Sequence, residues 1–294
     1  MKEYFRVNAS KYVPGKNFDV TRPASLNNPK DNAVMFIREE FINHYDAFCQ
    51  CNECIVFWPE SIEVPENINN RHAVIQCMKP HREFARFFTV NRITYLPEID
   101  EVEMVNGAFI AKTAIIGKNC RIFPGAYIGG EVELGDNCYI GSGVRLTGSI
   151  KIGDNVIIRE NSVLGADGLT TDRDEQGKAL TIPQFGGIVI EDDVQIGALT
   201  VIARGAIDNT VVKRGAKIDS CAFVSHNVQI GEDSFIVGET IMFGSSSTGN
   251  NVLISGNSTI RDGRHIGNGA IVGMGSVVVR NVEDGQVVKG NPAR

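Results

Sequence analysis

The sequence predicts a mainly β protein: a parallel β-helix built of hexapeptide repeats, preceded by a small α/β domain. Three observations predict it. From residue 110 onward an aliphatic residue returns at every sixth position. Glycine is frequent, 31 of 294 residues against a single Trp, which supplies tight turns at short intervals. Residues 1–105 lack the period and carry short apolar runs separated by amphipathic segments.

The ladder starts at Ile110, Ile116, Ile122 and Ile128 and runs unbroken to Leu164. It resumes at Ile190, Ile196 and Ile202, shifts register by four, and continues from Val212 to Met242. Thr248 interrupts it before Ile254, Ile260, Ile266, Val272 and Val278 complete it. Neither the helical period of 3.6 nor the strand period of 2 explains a strict six. Six residues make one short strand and one corner, and three such hexads close one triangular coil. The aliphatic residue points inward and stacks on its equivalent in the next coil, a position that suits β-branched side chains. The residue after it is small in most hexads (Gly117, Gly135, Gly153, Gly231), since bulk would crowd the corner. A β-sandwich with regular turns would instead show alternation inside longer strands. Two stretches break the period: residues 165–187, polar and Gly-rich, read as a loop thrown out from a corner, and residues 203–211 as a smaller extrusion. Such interruptions in a repeat often carry function.

Before the repeat, NAVMFI, CIVFW and HAVIQC read as strands. REEFINHYDAFCQC reads as an amphipathic helix, and PHREFARFFTVN as another opened by Pro80 in the first turn. The reading divides the chain into an α/β domain over 1–105, a coil over 106–280, and a tail over 281–294, with the first boundary in LPEIDEVEMVNG. The α/β domain is expected to cap the coil and to bind a nucleotide or another part of the substrate. Cys49, Cys51 and Cys54 lack the second ligand pair that a zinc site draws on. His44, His72 and His81 read as surface residues without a chemical role.

Composition narrows the function classes. Hydrophobic residues make up 43% and charged residues 22%, an ordinary globular balance. No stretch approaches the ~18 apolar residues of a membrane helix, and the first residues lack a signal-peptide core, so a cytoplasmic location without a transmembrane segment is expected. Seven scattered Cys do not form a secreted disulfide framework. A net charge of −6 without any basic tract argues against a nucleic-acid partner.

The repeat holds two histidines, His226 and His265. Asp219 precedes His226 by seven residues, and whether the two touch depends on how the chain bends between them. A carboxylate beside an imidazole would fix its tautomer and favour its charged form, as a general base requires. Cys221, five residues before His226, reads as a small corner residue.

The stretch VLGADG … IPQ … IVIEDDVQIGALTVIARGAIDNTVVKRGAKIDSCAFVSHNVQIG resembles the UDP-3-O-acylglucosamine N-acyltransferases of lipid A synthesis. The RGAIDNT segment and the Asp219…His226-Asn227 spacing are its most specific motifs, and the order of parts agrees from about Asp19 to about Val278. The resemblance implies a left-handed parallel β-helix and a homotrimer with active sites in the clefts between subunits. It further implies His226 as general base, Asp219 as its orienting acid, and the amide of Gly244, eighteen residues on, as oxyanion donor. Asn227 would face the substrate. No cofactor would be bound, and the acyl donor would be an acyl-CoA or an acyl carrier protein.

Three departures bear on specificity. The family's uracil site has a Phe followed three residues later by Asn; here Phe36 is followed by Glu39. A second family His falls on Gly263, with His265 two residues away as a stand-in. The ending GMGSVVVRNVEDGQVVKGNPAR resembles acetyl-CoA-dependent hexapeptide acetyltransferases. These incline the expectation towards a relative serving O-antigen or another surface polysaccharide, using a shorter acyl-CoA and a dTDP-linked 4-amino sugar. The alternatives are the lipid A enzyme itself, a zinc enzyme of the carbonic anhydrase type, for which two repeat histidines fall short of three, and a non-catalytic scaffold.

Overall fold

The computed structural model describes residues 2–96 and 100–294. Residues 97–99, within the expected boundary segment LPEIDEVEMVNG, lie outside the described residues. The chain forms two compact units, Met1–Leu96 with Leu169–Phe185, and Pro97–Gly168 with Gly186–Arg294.

In the first unit the three expected strands are present as Ala33–Phe36, Ile55–Pro59 and Ala73–Cys77. They run parallel in that order, with Arg22–Pro23 added at the edge. Parallel strands need crossovers. The first is a 3-10 stretch, Glu39–Gln50, rather than the expected α-helix. Its core contacts explain the difference: Ile42, Tyr45 and Phe48 join the apolar cluster at a spacing of three, which lines up on one side only when each turn takes three residues. The second crossover contains a short helix, Glu66–Arg71, that the sequence reading did not anticipate. Pro80 opens the helix Pro80–Val90, which buries Phe84, Phe87 and Phe88.

The segment read as part of a coil loop belongs to this unit. Thr171–Arg173 and Ala179–Thr181 form an antiparallel hairpin whose turn is held by the Asp174 carboxylate, accepting from the amides of Gln176 and Lys178. His81 Nδ1 lies 2.7 Å from Asp172 Oδ2, and Arg82 and Arg86 both pair with Glu175. His72 is likewise no surface residue. It is fully buried, its Nδ1 accepting from the Cys54 amide at 3.2 Å and its Nε2 lying 2.9 Å from the Phe48 carbonyl.

The second unit is a left-handed parallel β-helix. Among its described residues, two- to four-residue strands stack into three sheets of nine, ten and eight strands. Residues eighteen apart pair in register, as in Tyr127 with Arg145 and Phe235 with Leu253. The inward ladder from Ile128 to Val278 is buried throughout and forms one continuous core. Thr248 keeps its place in it because its hydroxyl accepts the Gly231 amide at 2.9 Å. At one corner an Asp side chain caps the main chain of the preceding coil: Lys118 donates to Asp136, Asp136 to Asp154, and Asp154 to Asp192, at 2.6–2.8 Å.

Both ends of the coil extend past the expected boundaries. Val102–Val105 pairs antiparallel with Ala108–Ala111, so these residues continue the ten-stranded sheet. Val282 bridges Ile266, and Val287–Val288 pairs with Ile271–Val272. The expected tail is therefore a further part of the coil, because its Val residues still meet the inward column.

The three faces differ in what they show to solvent. On the ten-stranded face Phe223 and Ile241 stack outward, and on the nine-stranded face Phe235, Leu253 and Ile271 do so. The eight-stranded face presents Gln229, Ser247 and His265 at the corresponding places.

Candidate functional site

One corner of the coil, between the ten-stranded and eight-stranded faces, collects the irregularities of the repeat. Both extrusions leave from it: Val163–Ala166 leads through the first to Ile188–Ile190, and Val201–Ala203 through the second to Thr210–Val212. One coil later the same corner is Ser225-His226-Asn227 and, one further, Phe243-Gly244-Ser245.

His226 is half-buried between two glycines. A Cβ built on Gly168 would lie 2.7 Å from His226 Cβ and Cδ2, and one built on Gly244 would lie 2.5 Å from Cε1 and Nε2. Only glycine lets the main chain approach both ends of the side chain so closely. The Nε2 edge thus faces Gly244. The Gly244 amide makes no hydrogen bond within the described residues, whereas amides at the same place in the Asp-capped corner are engaged by the coil above.

The other ring nitrogen has a partner that the sequence reading did not give it. His226 Nδ1 lies 3.1 Å from Oδ1 of Asn227, its own neighbour. Asn227 has a φ of 61°, a left-handed turn that asparagine tolerates, and this folds its amide back towards the ring. The orientation of that amide is fixed on both sides. Its Nδ2 donates to the Asp208 carbonyl at 2.8 Å, and its Oδ1 accepts from the Ala206 amide at 3.0 Å. An oxygen accepts only, so Nδ1 of His226 carries a proton, and in the neutral ring the lone pair is on Nε2. The Asn227 main-chain amide also donates to Thr210 Oγ1 at 2.9 Å. Asn227, expected at the substrate, is instead the brace of the imidazole and of the second extrusion.

Asp219 is not beside His226. It sits at a different corner, between the nine-stranded and ten-stranded faces, where Oδ1 accepts from the Ser220 amide at 2.7 Å and Oδ2 from the Gly238 amide at 3.2 Å. Seven residues carry the chain one hexad along, from one corner to the next, so an Asp and a His at that spacing stand at opposite ends of one short strand. The pairing expected from the resemblance is corrected accordingly.

His265 is exposed on the eight-stranded face and bonded to Ser247 Oγ at 2.9 Å, not to His226. Phe36 and Glu39 belong to the first unit. The Phe36 ring packs edge-on to His81 and against Phe84, with the Arg38 guanidinium over it at 6.0 Å. Glu39 is exposed at the first residue of the 3-10 stretch. Among the Cys residues, Sγ of Cys54 lies 3.7 Å from Sγ of Cys51, while Asn67 donates to Cys49; no group of three potential ligands for a metal occurs among the described residues.

Arg204 and Asp167 complete the corner, and sequence reasoning missed both. Arg204 is buried, and its Nε and Nη2 reach Asp167 Oδ1 at 2.7 and 2.6 Å. The only signal was the presence of each in a segment that broke the repeat.

Comparison with known proteins agrees with this architecture. The family described as bacterial transferase hexapeptide (six repeats) matches residues 113–148, and the hexapeptide repeat of succinyl-transferase matches 131–167 and 247–280. A UDP-3-O-acylglucosamine N-acyltransferase of Wolinella succinogenes is 36% identical over 137 residues, 47% of this chain and 43% of that protein. One of Francisella tularensis is 48% identical over 79 residues, 27% of this chain and 23% of that protein. The chain resembles the UDP-3-O-acylglucosamine N-acyltransferases. The matched stretch spans less than half the length of these relatives. Among solved structures, a UDP-N-acetylglucosamine acyltransferase from Campylobacter jejuni is similar with a TM-score of 0.58 at 19% identity, over 65% of this chain and 73% of that one. One from Bacteroides fragilis has a TM-score of 0.52 at 23% identity, with the same shares covered. These two likenesses concern the fold. No helix among the described residues is long and apolar enough to cross a membrane.

Proposed function

We propose that the protein is an N-acyltransferase that moves an acyl group from a thioester to the amine of a nucleotide-linked amino sugar. The observation that carries this reading is the imidazole of His226, with its Nε2 lone pair beside the unengaged amide of Gly244. A base and an N–H donor held close to one another are what acyl transfer needs. The neutral amine attacks the thioester carbonyl as Nε2 takes its proton. The Gly244 amide donates to the oxyanion, a type of contact worth on the order of 10²–10³ in rate. Collapse of the tetrahedral species breaks the C–S bond, and the imidazolium returns the proton to the thiolate. Asn227 fixes the reactive tautomer without adding charge, in the place where the expected carboxylate would have added one.

The reading includes a homotrimer with a cytoplasmic location, where nucleotide sugars and acyl thioesters meet. Its support is the pair of adjacent faces on which Phe223, Phe235 and Ile271 stand 37–50% exposed, an apolar surface fit to be covered by further copies of the chain. Between donors and sugars, Glu39, Gly263 and the GNPAR ending together favour a surface-polysaccharide substrate with acyl-CoA over the lipid A pair. The test is acyl transfer to UDP- and dTDP-linked amino sugars with acyl-CoA and acyl carrier protein donors side by side. Transfer should occur with a dTDP-amino sugar and acyl-CoA, and vanish in His226→Ala with the oligomer intact. Activity only with the lipid A pair would replace the preferred substrates, and unchanged activity in His226→Ala would reject the mechanism.

A further inference from the structure

The first extrusion leaves the coil beside the imidazole. Strand Val163–Ala166 pairs with Val201–Ala203, but the register slips between Leu164 and Ala166. The bulge lies at Gly165, with a φ of 99°, and a Cβ there would collide with the Thr147 carbonyl. A bulge bends its strand and re-aims the residues beyond it. Here it directs Asp167 and Gly168 up the corner, across the coil of Arg204, until Gly168 lies against the ring of His226. Arg204 holds them there twice. Its amide donates to the Ala166 carbonyl at 2.9 Å, and its guanidinium grips Asp167 through Nε and Nη2. The next residues in sequence, Gly205 to Asp208, carry the main-chain groups that fix Asn227.

Arg204 therefore links both segments that confine His226, the one behind the ring and the one that braces Nδ1. Burying a guanidinium is costly unless it is paired and hydrogen-bonded. Its side chain is 3% exposed, while Asp167 is 53% exposed. We infer that Arg204 and Asp167 are positioning residues for the transfer reaction, locking Gly168 against His226 so that the imidazole presents Nε2 to Gly244. The inference rests on the reading of His226 as general base. The pair acts through the ring and not on substrate. Losing it leaves the donor and acceptor sites whole and lets the imidazole swing.

The test compares Asp167→Ala, Asp167→Asn and Gly168→Ala with the native chain by steady-state kinetics and by nitrogen NMR of the His226 ring. Asp167→Ala should lower kcat by about 10–100-fold, the loss expected when a reacting group is misplaced by about 1 Å, with KM for donor and acceptor unchanged. Its ring spectrum should change from one tautomer, protonated on Nδ1, to a mixture. Asp167→Asn keeps an oxygen for the Arg204 N–H groups and should recover part of the rate and the single tautomer. Gly168→Ala leaves the ion pair alone and checks that the segment bears on the ring; if Asp167→Ala does not fold, the rate and tautomer of Asp167→Asn, with its weakened pair, decide the matter. A lower melting temperature with kcat and tautomer unchanged would reduce the pair to a structural role and overturn the inference. A raised KM with kcat intact would overturn it too, because Asp167 would then be touching substrate. If the native chain transfers no acyl group to any amino sugar, the functional reading fails by itself. The tautomer still decides this inference, a mixture in Asp167→Ala supporting it and an unchanged spectrum refuting it.

Discussion

Replacing Gly244 by Ala tests the geometry of the corner with a single methyl group. The added Cβ would stand 2.5 Å from Cε1 and Nε2 of His226, where ordinary contact begins near 3.4 Å. The imidazole must give way by about 1 Å, a misplacement that costs about 10²-fold in rate. Its freedom to retreat is limited, because Gly168 packs against the Cβ–Cδ2 end of the same side chain. We expect kcat to fall about 10²-fold, close to 2.7 kcal/mol of transition-state stabilisation, with KM unchanged. The backbone has no reason to object. Gly244 does not have the left-handed φ of its neighbour Ser245 (59°), and the bonds from the Ser245 amide to His226 and from the Gly263 amide to Gly244 remain. Gly256→Ala is the matched control, the same place in a hexad at another corner, where the Cβ meets the Gly238 carbonyl at 3.2 Å and Val237 Cγ1 at 3.6 Å. The assay is the kcat of both variants under saturating donor and acceptor, with melting temperatures alongside. A Gly244→Ala enzyme with native kcat would refute the argument, since the ring would then not lie where the methyl falls.

Three more outcomes are expected of the same structure. Thr248→Val restores the aliphatic pattern of the ladder yet should destabilise by about 1–3 kcal/mol, because the buried Gly231 amide loses its acceptor; a raised denaturation midpoint would refute this. The hydrogen bond from Arg86 holds Glu175 down to about 2, from an ordinary value of 4.5. Its contribution to docking the 171–181 hairpin is then complete above 4.5 and lost as pH falls through about 2. The melting-temperature gap between native protein and Glu175→Gln should accordingly close on acidification, and a widening gap would contradict the sign. Burial pushes the Cys138 thiol up to about 11, so iodoacetamide at neutral pH should modify it only after unfolding; modification at Cys138 in the native protein, read apart from the exposed Cys221, would mean that the coil column is open.

The coil was legible because its physics is periodic. One inward side chain per hexad, repeated from Ile128 to Val278, leaves few ways to fold. The strands of the first unit and the helix at Pro80 were legible for local reasons, apolar runs and a proline in the first turn. What escaped was set by contacts across the chain. Ile42, Tyr45 and Phe48 could serve a 3.6-residue or a three-residue turn, and only the packing partners chose the tighter one. His72 looked like a surface residue until the sheet closed over it.

At the site, the place of His226 and Gly244 was readable from the eighteen-residue coil. The partner of the imidazole was not, because the left-handed turn at Asn227 brings the adjacent side chain back on itself. Asp167 and Arg204, 37 residues apart, meet only because an extrusion intervenes between neighbouring coils. No spacing rule read from an uninterrupted repeat would have joined them.

The extrusions have one further consequence. Ile158 pairs with Ile196 and Ile196 with Ile218, so one turn of the solenoid has absorbed twenty additional residues and the next four, and each strand still lands in register. Length added at this edge never reaches the column inside. Segments there can be lengthened, trimmed or exchanged for those of a distant cousin while the scaffold underneath stays the same, which makes the corner the natural place to graft a new preference onto an old frame.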